Sequence, residues 1–149
     1  MKAIGRIFLS TIFILFGISA IYHWDEAYTD LDAAIVNLQM VKGNIELMGS
    51  FLDLLTCYIT ILLALGIFLQ VVGGLLVFFG FQVKLGAVFL ALYLFGSTLV
   101  YFPFWLYEGE QLTYYLVLFF KNVSILGGVL LLFGGSKRQM KQLILNDEL

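Results

Sequence analysis

Among the polar side chains inside otherwise apolar stretches of the chain, six stand out: Gln70, Ser97, Thr98, Lys121, Asn122 and Ser124. Lys121 is the sharpest, because a lysine near the centre of a membrane-spanning helix costs about 2.5–3.5 kcal/mol on insertion scales. An ionisable group at that depth marks a site and needs a partner. No Asp or Glu falls inside the same apolar stretches, so an internal ion pair is excluded. The ammonium is left three outlets: Gln70, Ser97, Thr98 and backbone carbonyls hold it, or something anionic or polar binds it, or it sheds its proton in apolar surroundings. Gln70 and Asn122 read equally as hydrogen-bond glue between helices, worth about 0.6 kcal/mol each. Lys121 reads equally as a structural cation or as one that reaches a partner subunit.

The elements that position these residues follow from composition. The chain has 149 residues, 62% hydrophobic and 12% charged, with a mean hydropathy of +1.01. Globular domains carry about 25% charge, so a water-soluble enzyme, a disordered tail and a nucleic-acid binder are excluded, and the solvent is a lipid bilayer. One cysteine, Cys57, and one histidine, His23, are too few for a disulfide or a Cys/His zinc site. No paired carboxylates, nucleophile–base pair or strand-borne phosphate loop appears, so no catalytic residue is assigned. A helix needs about 20 residues to cross the hydrocarbon, and long evenly apolar runs are helices rather than barrel strands. The reading is an all-α, integral membrane four-helix bundle in one domain, 1–149, with spans at 4–23, 56–80, 84–104 and 111–135, an outer loop at 24–55 and a tail at 136–149.

Charge sets the orientation. Lys2, Arg6, Lys84, Lys137, Arg138 and Lys141 fall on one side, and Asp25, Glu26, Asp30, Asp32, Glu46, Asp53, Glu108 and Glu110 on the other, with Lys42. Basic loops face the cytoplasm, so both termini are expected there. The first span, with Lys2 and Arg6 ahead of it and Ser19-Ala20 near its end, has the look of a signal sequence and is expected to be retained. Arg6 reads as an anchor reaching the headgroups. In the outer loop Leu31, Ala34, Ile35 and Leu38 recur at helical spacing, which predicts an amphipathic helix over the outer mouth of the bundle. Trp24, Tyr101, Trp105, Tyr107, Tyr114 and Tyr115 form an aromatic belt at the same boundary.

Gly73-Gly74-Leu75-Leu76-Val77-Phe78-Phe79-Gly80 returns 54 positions later as Gly127-Gly128-Val129-Leu130-Leu131-Leu132-Phe133-Gly134, and this points to a duplicated helix hairpin. Gly66, Gly73, Gly74 and Gly80 in the second span, and Gly127, Gly128 and Gly134 in the fourth, form smooth stripes for close helix packing. Counted from the repeated glycines, Gln70 and Lys121 differ by about 4–5 Å in height, within reach of each other.

The segments Gly5-Arg6-Ile7-Phe8-Leu9 through Leu15-Phe16-Gly17, Gln70-Val71-Val72-Gly73-Gly74 through Gly80, and Phe119-Phe120-Lys121-Asn122-Val123-Ser124-Ile125-Leu126-Gly127-Gly128 together resemble the DoxX family of small four-helix membrane proteins of bacteria and archaea. The resemblance implies a multi-pass protein of the bacterial inner membrane, associated with redox chemistry as an accessory subunit. It differs from the family pattern at Gln70, often Glu there, and at Ala20, often Lys. Joined to the polar residues, it suggests a pocket of Lys121, Asn122, Gln70, Thr98 and Ser124, with Lys121 donating to a carbonyl oxygen of a quinone or similar lipid-soluble ligand, or docking an oxidoreductase. The alternatives are a scaffold that assembles with a second copy or a membrane-complex partner and, third, a transporter or channel.

Overall fold

A computed structural model describes the backbone of residues 2–40 and 54–147 and the side chains of 4–38 and 54–132. Lys42, Glu46, Asp53, the side chains of Lys2, Lys137, Arg138 and Lys141 and the packing of Gly134 lie outside the described residues. The helices are α1 (Lys2–Tyr22), α2 (Trp24–Met40), α3 (Ile59–Phe79), α4 (Val83–Tyr101) and α5 (Gly109–Asp147), with a 3₁₀ turn at Phe104–Leu106. Among the described residues, four stretches are long and apolar enough to cross a membrane: Ile4–Tyr22, Ile59–Phe79, Val83–Leu106 and Gly109–Leu132.

The breaks have local causes. Gly80 closes α3 in the left-handed conformation, φ +76°, with its N–H donating to the Val77 carbonyl at 3.2 Å. Gln82, also left-handed at φ 48°, opens α4, so the turn is as tight as its sequence predicts. Pro103 cannot donate to a helix ladder, and α4 stops just ahead of it at Tyr101 rather than at 104. The last helix continues to Asp147, past the expected end at 135. No comparable break separates α1 from α2: the His23 N–H donates to Ser19 and the Ala27 N–H to His23, at 2.9 and 3.0 Å. α2 is the amphipathic helix expected in the outer loop, and it buries Leu31 and Ile35 against Ile59, Leu63 and Ile67 of α3, with Val100 and Tyr101 alongside.

α1, α3, α4 and α5 lie side by side in that order, antiparallel in sequence, and α1 touches α5 only lightly. In lipid there is no hydrophobic drive between helices, so close packing must hold them. A β-carbon on Gly74 would fall 2.9 Å from Ile14 Cγ1, and one on Gly17 would fall 2.5 Å from Val71 Cγ2. Gly73 and Gly86 face each other across α3 and α4, with the Gly73 carbonyl oxygen 2.8 Å from where a Gly86 β-carbon would sit. Below these contacts Val77, Ala87, Leu90 and Val129 are fully buried, with Phe13 and Leu94 beside them.

The stripe reading of the glycines holds only in part. Gly66 faces the Tyr93 ring at 3.6 Å, but Gly80 is a helix cap and not a rung of a stripe. Gly127 is exposed, and a β-carbon there would meet nothing within 4 Å, while one on Gly128 would meet only Leu9, at 3.8 Å. The two copies of the Gly-Gly motif therefore have different surroundings. The first lies between two helices and the second lies on the bundle's edge.

Candidate functional site

The six polar residues do not converge. On α4, Thr98 is buried, and its hydroxyl donates to the Leu94 carbonyl at 2.5 Å while accepting a hydrogen bond from Asn122 Nδ2 of α5 at 3.2 Å. Ser97, one residue earlier, donates to the Leu94 carbonyl at 3.2 Å. Gln70, 5% exposed, lies on the other side of α3, with its Cγ and amide carbon 3.6 and 3.7 Å from where a β-carbon of Gly17 would be. Lys121 is exposed, and so is Ser124, whose hydroxyl is spent on the Phe120 carbonyl of its own helix at 2.9 Å.

Two geometric facts separate Lys121 from Gln70. Asn122, the partly buried Ile125 and Leu126 and the buried Val129 turn toward the bundle, so Lys121, with Tyr114, Val117 and Ser124, turns away from it. Height separates them as well. Gly73 packs beside Phe89 and Leu90, and Gly66 beside Tyr93, so Gln70 is level with the middle of α4, whereas Lys121 is level with Thr98. That offset is about two turns, roughly 10 Å, toward the acidic end. The expected contact between the Lys121 ammonium and the Gln70 amide is therefore not made. The repeat register fails because the segment 102–108 displaces α5 along α4: Phe104 and Trp105 stack edge-on against Phe119, with centroids 4.9 and 6.4 Å apart.

Asn122 and Thr98 form a conventional interhelical bond. In Thr98→Val and Asn122→Leu variants and their double mutant, detergent unfolding is expected to return a coupling of about 0.6 kcal/mol. A coupling near zero would show that the pair contributes nothing to holding α5.

Two clefts among the described residues lie elsewhere. One of about 200 Å³ at the acidic end is lined by Asp30, Asn37, Tyr101, Pro103, Tyr107 and Tyr115, and a wider one of about 470 Å³ by Tyr107, Glu110, Gln111, Tyr114 and Tyr115. Neither is lined by Gln70, Thr98, Lys121, Asn122 or Ser124. The sequence reading places these tyrosines in an anchoring belt and misses the cleft. Its only sequence signal is that Asp30 lies on the polar side of α2 while Tyr107 and Tyr115 flank a turn. The Tyr107 and Tyr115 rings stack at 4.1 Å with 1° between planes. Hydrogen bonding to Tyr115, and then burial, push the Tyr107 hydroxyl up to about 12.

A raised acid constant favours the neutral phenol in the folded state. The stack's contribution is thus fully present below the free tyrosine value of about 10 and lost as pH rises to about 12. Ultraviolet titration should lose one late-ionising phenol in Tyr107→Phe. Loss of no late component in that variant would reassign the shift.

Among the described residues no group of three or more His, Cys, Asp or Glu could hold a metal ion. Taken together, a helical bundle with four membrane-crossing stretches and polar groups spread over its interior and flank defines a small multi-pass membrane protein. The DoxX family model matches residues 1–103, more than half of the chain, and the protein belongs to that family. The matched part runs from α1 through α4 and ends at Pro103. Lys121, Asn122 and Ser124 lie beyond it. No curated protein and no solved structure matches the chain.

Proposed function

We propose that this DoxX protein is an accessory subunit of a membrane complex, and that it docks a partner protein along the flank of α5 that carries Tyr114, Val117, Lys121 and Ser124. The basic end, with both termini, faces the cytoplasm of a bacterial cell, and the complex sits in the inner membrane. The partner belongs to the oxidoreductase machinery that the family resemblance implies.

The observation that carries this reading is the placement of Lys121, exposed within an apolar span and without a hydrogen bond or ion pair to another described residue. No Asp or Glu falls within the four apolar stretches themselves, 4–23, 56–80, 84–104 and 111–135. A cation so placed is costly in hydrocarbon, and a helix that supplies a carboxylate or an amide oxygen removes the cost. A quinone pocket inside the bundle draws no support from the geometry, since Gln70 and Lys121 face different neighbours. A channel draws none either, because the centre of the bundle is filled by Val77, Leu90 and Val129.

A photo-crosslinker introduced at Val117 in native membranes tests the reading. One defined adduct is expected, which is lost when Lys121→Met is added and is not formed from Phe8 on α1. Adducts to lipid alone, or an adduct indifferent to Lys121→Met, would remove the proposal. A quinone that protects Lys121 from amine labelling would restore the ligand reading in its place.

A further inference from the structure

Arg6, at the basic end of α1, is half-buried, yet its side chain makes no hydrogen bond or ion pair with another described residue. Its Nε is sealed from solvent without an acceptor, the one such buried side-chain atom among the described residues. The group is nevertheless held in place. A β-carbon on Gly80 would fall 2.9 Å from Nη2, 3.0 Å from Nη1 and 3.1 Å from Cζ, so the guanidinium lies over a glycine that both caps α3 and leaves room for it. The carbonyl end of α3 favours a positive charge there, but no described residue takes a hydrogen bond from the guanidinium. No described carboxylate comes near: Asp25, Glu26, Asp30, Asp32, Glu108 and Glu110 all belong to the opposite end of the bundle.

We propose that Arg6, over the turn 80–82, is a receptor for a phosphate anion at the basic end of the bundle. A guanidinium fork fixed in one orientation and always charged matches a phosphate by paired N–H donors, which an ammonium cannot reproduce. The turn itself adds to the site. Val83 follows Gly80 by three residues, within about 10 Å, and there α4 begins with the exposed Lys84 in its first turn. The amides ahead of Gly86, whose N–H is bonded to the Gln82 carbonyl at 3.1 Å, open that helix and add partial positive charge. The site lies where the first span meets the headgroup layer, so a phospholipid phosphate and free phosphate share the chemistry it selects. It is independent of the docking surface on α5.

Native mass spectrometry of the full chain in detergent reads the site when the protein is titrated with phosphatidylglycerol and, in a second series, with inorganic phosphate. A saturable single adduct is expected, with Kd raised about tenfold or more in Arg6→Gln and about threefold in Arg6→Lys, which keeps the charge and loses the fork. Arg6→Lys also serves where Arg6→Gln does not fold. A phosphatidylglycerol adduct that persists in excess inorganic phosphate assigns the lipid headgroup, and one displaced by it assigns free phosphate. Equal Kd in the wild type and both variants, or no saturable adduct with either probe, overturns the proposal.

Discussion

Gly86→Ala is expected to destabilise the bundle by about 1–3 kcal/mol, the usual cost of forcing atoms into a filled core. The added methyl would stand 2.8 Å from the Gly73 carbonyl oxygen and 2.9 Å from both Leu76 Cβ and Val77 Cγ2. Two of these obstacles cannot rotate away, because a carbonyl and a β-carbon move only with the backbone of α3. The helices must separate, and with them the packing of Leu90 and Val77. Gly73→Ala meets Phe89 Cβ at 3.0 Å and the Gly86 carbonyl at 3.1 Å, so the two substitutions strain one contact and their double mutant should cost less than the sum. Gly96→Ala and Gly127→Ala meet nothing within 4 Å, and each should be neutral or stabilising by about 0.5–1 kcal/mol through reduced backbone entropy. Reversible unfolding in mixed detergent micelles measures all four. A Gly127→Ala penalty equal to that of Gly86→Ala would show that the edge of α5 is packed in the folded protein.

Lys121→Met should separate stability from association. In the isolated protein the ammonium bonds no described residue, and replacing a lysine in a span by an apolar side chain removes an insertion cost of about 2.5–3.5 kcal/mol. The purified variant should therefore unfold no more easily than the wild type. Partner retention should fall about tenfold or more, since a carboxylate left unpaired in the partner carries its own penalty. Lys121→Arg should keep most of it. The combination of unchanged folding with lost association is the signature sought, and a variant that unfolds readily would place Lys121 among the bonds that hold the monomer together.

The spans were legible because a membrane helix announces itself by length and composition alone, and α2 because Leu31 and Ile35 share one side of a turn-by-turn pattern. Gly73 and Gly74 were legible only in part: two adjacent glycines inside an apolar helix permit close approach, but the same pair at Gly127-Gly128 lies on an edge. Depth was not legible in the same way. The height of Lys121 depends on how far α5 slides along α4, and that is set by Pro103, the 3₁₀ turn and the Phe104–Phe119 contact, none of which alters periodicity. Gly80 sits seven residues after Gly73, as a stripe requires, yet the same spacing also fits a left-handed cap, and only the backbone angle distinguishes the two. The seating of Arg6 on Gly80 joins residues more than seventy positions apart, and no local pattern encodes it.

The last helix leans on one neighbour. Because α5 rests along α4 and meets α1 only lightly, where Phe13 and Val129 share a core cluster, the ring of helices is left with a seam between its first and last members. In a bilayer that seam would open to acyl chains, and a wedge entering there would part α5 from the other three, taking Val129 from the core but leaving the Gly73–Gly86 contact in place. Amide exchange should accordingly release the fourth span before the rest, as a unit with its own opening free energy.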